Sequence, residues 1–214
     1  WGEIISNIHQ IMQQYGYGEI RTPAFESTEL FVQGIGTDTD IVNKEMFSWV
    51  DQVGNTLTLK PELTAPVVRA YLQHQLGNQN PIHRLYYFDT LFRRERPQKG
   101  RQRQFYQFGA EAIGSPNPEQ DAEIIAMAYH IYQDFGIQDM EVSLNSIGSA
   151  EIRPAYLTLL RSILDKYGDE LCKTCETRLK KNVMRIFDCK NPRCQKILDE
   201  NAPCIFDSIS ADDR

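Results

Sequence analysis

The feature that most constrains the fold is a pair of strand-like segments, residues 82–93 and 104–112, joined by a ten-residue polar loop. Apolar and polar residues alternate along both segments with the period of two that is typical of a β-strand. Most hairpin loops hold roughly two to five residues, so a loop of this length indicates a functional role. We therefore expect an antiparallel β-hairpin whose tip carries part of a binding site.

The second strand of this hairpin presents two rows of side chains, one on each face. The row that fits a protein core consists of Tyr106, Phe108, Ala110 and Ala112. The opposite row offers an aromatic ring, an amide, a bare backbone position and a carboxylate, at Phe105, Gln107, Gly109 and Glu111. This row suits a ligand that lies along the strand, with a ring stacked on Phe105 and an amine at Glu111. A solvated hairpin with a charged tip is the alternative that the periodicity leaves open.

The loop of the hairpin concentrates positive charge on an acidic chain. The chain has 214 residues and a net charge of −6. The segment from Arg93 to Arg103 contains six basic residues and one acid, Glu95, so it carries +5 while the rest of the chain carries −11. Such a local concentration is typical of phosphate binding rather than of a general nucleic-acid surface. A nucleoside triphosphate fits here, with its base on Phe105 and its phosphates toward the arginines.

A second candidate site lies in residues 58–66, where Glu62 and Thr64 stand two positions apart at a predicted strand-to-helix corner. A carboxylate and a hydroxyl at such a corner can bind a ligand. The alternative is structural: Thr64 is the N-cap of the following helix and Glu62 is an exposed acid. The residues taken alone favour the structural role.

The remaining pattern predicts the other elements. Periodic apolar residues predict helices over residues 3–15, 119–135 and 149–167. Alternating patterns predict shorter strands over residues 19–22, 46–50, 56–59 and 141–145. We therefore expect an α+β fold in which a largely antiparallel sheet is flanked by helices and holds the active site.

Hydrophobic patterning also bears on the location of the protein. No apolar run approaches the roughly 20 residues that a membrane-spanning helix needs, so we expect no membrane partner. The first residues, Trp1 to Ile5, lack the basic leader and apolar stretch of a secretory signal. These two observations predict a cytoplasmic protein.

The cysteines are confined to the last 43 residues, at Cys172, Cys175, Cys189, Cys194 and Cys204. An odd number in one short segment is unlike a disulfide framework and marks a compositional boundary near residue 168. Two alternatives remain for the first four cysteines. They could form a four-thiolate zinc site, for which the first spacing is suitable and the second is loose. Otherwise they are reduced, partly buried thiols, which is the default expectation and implies no metal site.

The hairpin and its flanks resemble a known family. The segment Phe92–Arg101, followed by Arg103–Glu111, resembles motif 2 of class II aminoacyl-tRNA synthetases in its histidyl form. Residues 19–23 resemble motif 1, and residues 58–70 resemble the amino-acid-binding segment. The segments follow one another in the order of the family along essentially the whole chain. By this resemblance the chain is identified as a member of the bacterial-type histidyl-tRNA synthetases.

The resemblance implies a role for each candidate residue. Arg93 would be the catalytic residue, binding the α-phosphate of ATP and stabilising the pentavalent transition state. Glu95 would read the adenine amino group and Phe105 would stack on adenine. Arg101 and Arg103 would neutralise phosphates or guide the acceptor end of the tRNA. The residues implied to bind histidine are Glu62, Thr64, Gln107 and Glu111.

The resemblance also implies a reaction and an architecture. Histidine and ATP, with Mg²⁺ bridging the phosphates, would give histidyl-adenylate, and the histidyl group would then pass to the 3′ end of tRNA. Residues 1–168 would form an incomplete class II catalytic core, and residues 169–214 the beginning of a cysteine-containing insertion domain. The helix over 3–15 and the strand over 19–22 would build a homodimer interface.

Some parts of the family pattern are absent from this sequence, namely motif 3, a later histidine-binding segment and the anticodon-binding domain. We therefore expect the 214-residue chain alone to be inactive in forming histidyl-adenylate. One alternative function is a histidine-sensing regulatory subunit of ATP phosphoribosyltransferase. A second is a non-catalytic module for tRNA binding or dimerisation. The complete set of Arg93, Glu95, Phe105, Arg101 and Arg103 argues against the regulator, because a sensor need not keep a full ATP loop.

Overall fold

The structure is a computed structural model that describes residues 1–36, 39, 41–96 and 98–209. It divides into two compact units, Trp1–Met140 and Glu141–Arg214, called here the first and the second unit. All the residues predicted to bind ATP or histidine lie in the first unit, and all five cysteines lie in the second. In the described part of the chain, no helix has the length and apolar character needed to cross a membrane.

The elements of the first unit follow the predicted order closely. Its α-helices are α1 (Gly2–Gln14), α2 (Thr28–Ile35), α3 (Thr64–Gln73) and α4 (Pro118–Asp134). Its strands are β1 (Gly18–Glu19), β2 (Phe25–Ser27), β3 (Ser48–Val50), β4 (Thr56–Leu59), β5 (His83–Phe92) and β6 (Gln104–Ile113). A π-helical turn spans Ile41–Glu45 and a 3-10 turn spans Leu76–Asn78.

The strands form two three-stranded sheets, in the orders β1-β5-β6 and β2-β4-β3. The predicted hairpin is present as β5 and β6, paired antiparallel from His83 opposite Ile113 to Phe92 opposite Gln104. Strand β1 runs parallel to β5, and the second sheet is antiparallel throughout. Helices and mainly antiparallel strands confirm the predicted α+β class.

One face of the β5–β6 hairpin packs on helices α1 and α4. The buried side chains of this core are Ile8, Ile11, Met12, Tyr17, Tyr86, Met127 and Ile131. Each fully buried aliphatic side chain contributes roughly 1.5–3 kcal/mol through removal of apolar surface from water. The row predicted to face the core does so at Phe108, Ala110 and Ala112, whereas Tyr106 is half exposed and packs against the ring of Trp1. The opposite face of the hairpin is therefore left for the site.

A buried lysine connects the second sheet to strand β5 just before the functional loop. Lys60 is almost completely buried; its Nζ forms an ion pair with Asp89 and donates a hydrogen bond to the carbonyl of Thr22 at 3.2 Å. Its backbone carbonyl accepts the N–H of Phe92 at 3.0 Å, and its own N–H donates to the carbonyl of Ala24 at 3.1 Å. These bonds fix the segment that leads to Glu62 against the end of β5.

The second unit is helical in its described residues. Its helices are α5 (Arg153–Leu164), α6 (Lys173–Lys181) and α7 (Pro192–Asn201), and its 3-10 turns are Asp165–Glu170, Val183–Asp188 and Ile205–Asp207. Helix α5 buries Tyr156, Leu160 and Leu164 in the same core as the cysteine-bearing segment. The chain therefore divides by compactness at residue 140, earlier than the compositional boundary near 168. The assignment of residues 1–168 to a catalytic core and 169–214 to an insertion domain stays a prediction.

The strand predicted over residues 141–145 is wrong, because these residues have no regular secondary structure. A strand needs a neighbour to accept and donate its backbone hydrogen bonds, and no described strand pairs with this segment. Val142 and Leu144 are 50% and 71% exposed, so the alternating pattern has no sheet to cover. The helix predicted over 149–167 is shorter, ending at Leu164 and continuing as a 3-10 turn.

Candidate active site

Arg93 lies at the point where strand β5 enters the basic loop, and three contacts position it. Its backbone N–H donates to the carbonyl of Arg103 at 3.0 Å, which closes the base of the loop. Its Nε donates to the carbonyl of Pro61 at 2.8 Å. Its guanidinium carbon lies 5.3 Å from the centre of the Phe105 ring, a cation–π distance. The side chain is half-buried and held in one orientation, with a positive charge at the edge of the hairpin face.

A cavity of about 650 Å³ opens beside Arg93 and Phe105. Its lining consists of Trp1, Arg93, Glu95, Gly100, Arg101, Gln102, Phe105 and Tyr106. Small-molecule sites typically measure about 300–1,000 Å³, so this cavity is of the size that holds a nucleotide. Pro97, which belongs to the predicted loop, lies outside the described residues.

Glu95 supplies an acceptor to this cavity. Its Oε2 is shielded from solvent and accepts no hydrogen bond from any described residue, although Arg101 Nη1 lies 3.4 Å away. A shielded acceptor of this kind is costly to leave unpaired and is suited to receive a donor from a ligand. Arg103 is exposed, with its Nε 3.5 Å from the backbone carbonyl of Glu95, and it is not part of the lining.

Glu111 is held by two hydroxyl donors from different elements. Its Oε1 accepts hydrogen bonds from Thr64 Oγ1 at 2.8 Å and from the Tyr87 hydroxyl at 3.1 Å. Burial, followed by the nearby charge of Glu111, raises the pKa of Tyr87 above its usual value, so this hydroxyl remains a neutral donor. The sequence reasoning missed Tyr87, since its role depends on which residue of β6 lies opposite.

Gly109 lies opposite Tyr87 in the hairpin and leaves room for its ring. A Cβ atom at Gly109 would lie 2.6 Å from the tyrosine oxygen and 2.7 Å from two ring carbons. The space left by the missing side chain of Gly109 is therefore filled by the ring of Tyr87, whose hydroxyl donates to Glu111. Absence of a side chain at this position is a requirement of the site geometry.

The carboxylate of Glu62, rather than the hydroxyl of Thr64, accepts backbone hydrogen bonds at the start of helix α3, whose N-cap residue is Leu63. The helix begins at Thr64, and the carboxylate of Glu62 accepts the N–H of Thr64 at 2.8 Å and that of Ala65 at 3.1 Å. Burial raises the pKa of Glu62 above its usual value, although these backbone donors lower it. The structural alternative, in which Thr64 is the cap and Glu62 an exposed acid, is wrong: Thr64 turns its hydroxyl to Glu111, and Glu62 is half-buried.

The predicted histidine-binding residues are only partly brought together. Glu62 and Thr64 line a second cavity of about 380 Å³, which is closed on its other side by residues of α2. Glu111 reaches this pair through its bond to Thr64. Gln107 is exposed, lies opposite Asp89 on the same face of the hairpin, and lines neither of the two cavities described.

Side chains able to hold a metal ion converge at one place among the described residues. Groups of three or more convergent His, Cys, Asp or Glu side chains occur there once, as the four cysteines Cys172, Cys175, Cys189 and Cys194. The backbone N–H of Cys175 lowers the pKa of the Cys172 thiol to about 7, whereas burial raises the pKa of Cys175 and Cys194. The described carboxylates near Arg93 form no such group of three or more.

The helices and mainly antiparallel strands of this fold match the catalytic core of the class II aminoacyl-tRNA synthetases. A family model described as histidyl-tRNA synthetase matches residues 2–182, and the chain belongs to that family. It is 47% identical over 212 residues to the histidine–tRNA ligase of Moorella thermoacetica, covering 99% of this chain and 50% of that protein. It is 49% identical over 209 residues to the histidine–tRNA ligase of Halothermothrix orenii, with coverage of 98% and 50%.

Solved structures agree with this assignment. The crystal structure of apo S. aureus histidyl-tRNA synthetase matches with a TM-score of 0.70 and 36% identity, covering 94% of this chain and 50% of that one. A Bacillus halodurans protein described as an ATP phosphoribosyltransferase regulatory subunit/histidyl-tRNA synthetase matches with a TM-score of 0.59 at 23% identity, which shows the fold alone. The chain spans about half the length of the curated relatives it matches. The family and the class II fold predicted from the sequence are confirmed.

Proposed function

We propose that this chain is the ATP- and histidine-binding half of a histidine–tRNA ligase, an enzyme that forms histidyl-adenylate and transfers the histidyl group to tRNA. The observation that carries the proposal is the placement of Arg93. It lies between a nucleotide-sized cavity on one side and the Glu62 corner on the other, bonded to the carbonyl of Pro61. Membership of the family supports histidine as the amino acid.

ATP is bound in the cavity beside Arg93. The adenine ring stacks on Phe105, and its amino group donates to the shielded Oε2 of Glu95, which accepts no hydrogen bond from the described residues and has only an ion-pair contact to Arg101 at 3.4 Å. The α-phosphate is bound by Arg93, whose guanidinium offers several fixed N–H donors. Arg101, already at the cavity wall, neutralises further phosphate charge, and the exposed Arg103 guides phosphates or the acceptor end of tRNA.

Histidine is bound along the opposite end of the hairpin. Glu111 and Glu62 form an acidic pair, in which burial and then the charge of Glu111 raise the pKa of Glu62. The α-ammonium group of an amino acid offsets that repulsion, and Thr64 and Gln107 supply further polar contacts. Tyr87 acts as a positioning residue, because its hydroxyl holds Glu111 without contacting the substrate.

The chemical step follows from these positions. A carboxylate oxygen of histidine forms a bond to the α-phosphorus while the bond to the bridging oxygen of pyrophosphate breaks, and the electron pair leaves with pyrophosphate. Arg93 stabilises the negative charge that accumulates on the pentavalent phosphorus. Mg²⁺, which proteins usually hold through one or two carboxylates together with the phosphates of the nucleotide, would neutralise phosphate charge here.

The proposed function includes two macromolecular partners, tRNA and a second copy of the chain. Trp1, Ile4 and Ile5 on and before α1 are 69%, 39% and 41% exposed, and this apolar surface supports the homodimer interface predicted for α1 and β1. A ligase of this kind acts in the cytoplasm. The intact set of Arg93, Glu95 and Phe105 favours the ligase over a histidine-sensing regulator, which does not need an ATP loop.

The test is the affinity for ATP, measured by isothermal titration calorimetry. Arg93→Ala removes a charged donor, worth roughly 1.5–3 kcal/mol, so affinity falls by about 10- to 150-fold. Arg96→Ala is the matched control, because Arg96 is an exposed arginine of the same loop outside the cavity lining. An Arg93→Ala chain that binds ATP as tightly as the Arg96→Ala chain refutes the assignment. We also expect the 214-residue chain alone to show no histidine-dependent ATP–pyrophosphate exchange. Detection of such exchange would contradict the expectation that the isolated chain is inactive.

A further inference from the structure

Four of the five cysteines converge at the centre of the second unit. The sulfur atoms of Cys172, Cys175, Cys189 and Cys194 all lie within 4.8 Å of one another. Sγ of Cys172 lies 3.9 Å from Sγ of Cys189. In a tetrahedral zinc site with Zn–S bonds of about 2.3 Å, neighbouring sulfurs stand about 3.8 Å apart. The observed cluster therefore needs a contraction of at most about 1 Å to fit this geometry.

We propose that a structural Zn²⁺ ion binds in the second unit to four cysteine thiolates, those of Cys172, Cys175, Cys189 and Cys194. On binding, the four S–H bonds break, four Zn–S bonds form, and the protons pass to solvent. The spacing supports this assignment, since two and four residues separate the cysteines of each pair and such short spacings are typical of structural zinc sites. Four protein ligands leave no open position, so the ion has no catalytic role.

Two helix N-termini bring the cysteines together. Cys172 is the N-cap residue of α6 and Cys175 the third residue of that helix. Cys194 is the third residue of α7, whose first turn is capped by the side chain of Asn191. Cys189 ends the turn Val183–Asp188. The sulfurs thus face the positive ends of two helix dipoles, which favours thiolates.

Backbone donors already point at two of the sulfurs. The N–H of Cys172 donates to Sγ of Cys194 at 3.3 Å, and the N–H of Asn191 donates to Sγ of Cys189 at 3.4 Å. Hydrogen bonds of this kind orient metal ligands and disperse their charge. A Zn²⁺ ion with four thiolates carries a charge of −2, and exposed Lys173, Lys190 and Arg193, each next to a cysteine in the sequence, offset it.

The alternative states of the cysteines fit less well. A disulfide has an S–S bond of about 2.05 Å, whereas the Cys172 and Cys189 sulfurs are 3.9 Å apart and all five cysteines are free. Buried thiols that act as small apolar groups have no reason to converge or to accept two backbone donors. The second unit is also small, and units below about 80 residues commonly need a metal or disulfides to supplement their core.

Cys204 provides an internal control. It is exposed and lies outside the group of four, although it belongs to the same unit. Cys204→Ser therefore removes one thiol without removing a ligand. Cys175→Ser and Cys194→Ser each remove a fully buried ligand.

The experiment measures metal content in the purified full chain, kept reduced, by elemental analysis. We expect about one zinc per wild-type chain, the same content in Cys204→Ser, and loss of zinc in Cys175→Ser and Cys194→Ser. Because the ligand variants can lose metal by failing to fold, wild-type chain stripped with a chelator is also titrated with Co²⁺. The expected result is a tetrahedral cobalt spectrum with a thiolate-to-cobalt charge-transfer band, abolished by one equivalent of Zn²⁺.

Three results overturn the proposal. The first is a reduced wild-type chain that holds no zinc and gives no tetrahedral cobalt spectrum. The second is zinc retained by both Cys175→Ser and Cys194→Ser, which places the ion elsewhere. The third is a coloured iron centre in place of zinc, since tetrahedral thiolates also hold iron. Neither the zinc content nor the cobalt spectrum depends on the affinity of the first unit for ATP. The outcome is therefore independent of the function proposed above.

Discussion

Replacement of Gly109 by alanine tests whether the glycine is required by the ring of Tyr87. The added Cβ would lie 2.6 Å from the tyrosine oxygen and 2.7 Å from two ring carbons, well inside contact distance. The ring cannot move freely, because Tyr87 is 6% exposed and belongs to a strand paired on both sides. Relief of the clash therefore has to move the ring and break the hydrogen bond to Glu111.

Two terms set the magnitude of this effect. Overpacking of a filled site costs about 1–3 kcal/mol. The hydrogen bond to a charged acceptor is worth roughly 1.5–3 kcal/mol, less here because Glu111 is only half-buried. We expect Gly109→Ala to lower the free energy of unfolding of the first unit by about 2 kcal/mol. Gly18→Ala is the matched control, because this strand glycine has only a backbone oxygen at 3.9 Å from its added Cβ.

Urea unfolding followed by tryptophan fluorescence measures the effect. Both tryptophans of the chain, Trp1 and Trp49, lie in the first unit, so the signal reports that unit. In a double-mutant cycle, Tyr87→Leu removes the atoms that clash, and Gly109→Ala then costs little in that background, a coupling of about 2 kcal/mol. Equal stability of Gly109→Ala and Gly18→Ala, or additive effects in the cycle, refutes the reasoning.

Two further predictions concern charged groups of the first unit. Lys60→Ala leaves Asp89 without its buried partner and should lower the free energy of unfolding by roughly 3 kcal/mol. This value is near the low end for a broken buried pair, because Asp89 is 30% exposed. A loss below about 1 kcal/mol in urea unfolding contradicts the prediction. The pKa of Glu62 is raised in the folded chain above its usual 4.5, so ionisation of Glu62 opposes folding. The stability of the wild-type chain relative to Glu62→Gln should therefore fall as the pH rises from 4.5 through the folded pKa, and a relative stability that increases with pH in urea unfolding contradicts the assignment.

The sequence predicts the hairpin closely because its information is local. Alternation along residues 82–93 and 104–112 places β5 and β6 within about one residue of their ends. The cluster of basic residues between Arg93 and Arg103 is likewise read directly from the sequence. The apolar row failed only at Tyr106, where the core ends and the ring is half exposed.

The features that the sequence did not reveal depend on which residues meet in space. The sequence alone indicates that Tyr87 is a core aromatic residue. Only the strand register shows that it lies opposite Gly109, with its hydroxyl oxygen 3.1 Å from Oε1 of Glu111. The alternating segment at 141–145 has the pattern of a strand, but no described strand pairs with it. Convergence of the four thiols is similar, since thirteen residues separate Cys175 from Cys189 and the intervening helix and turn decide whether they meet.

The position of Arg93 makes the two halves of the candidate site interdependent. Burial raises the pKa of Glu62, as the charge of Glu111 also does, whereas the nearby charge of Arg93 lowers it. A phosphate bound to Arg93 offsets part of that positive charge, so Glu62 then becomes harder to ionise unless a second cation is present. The ammonium group of the amino acid supplies such a cation at the same corner. Under the proposed function we therefore expect bound histidine to strengthen the binding of ATP, and ATP that of histidine.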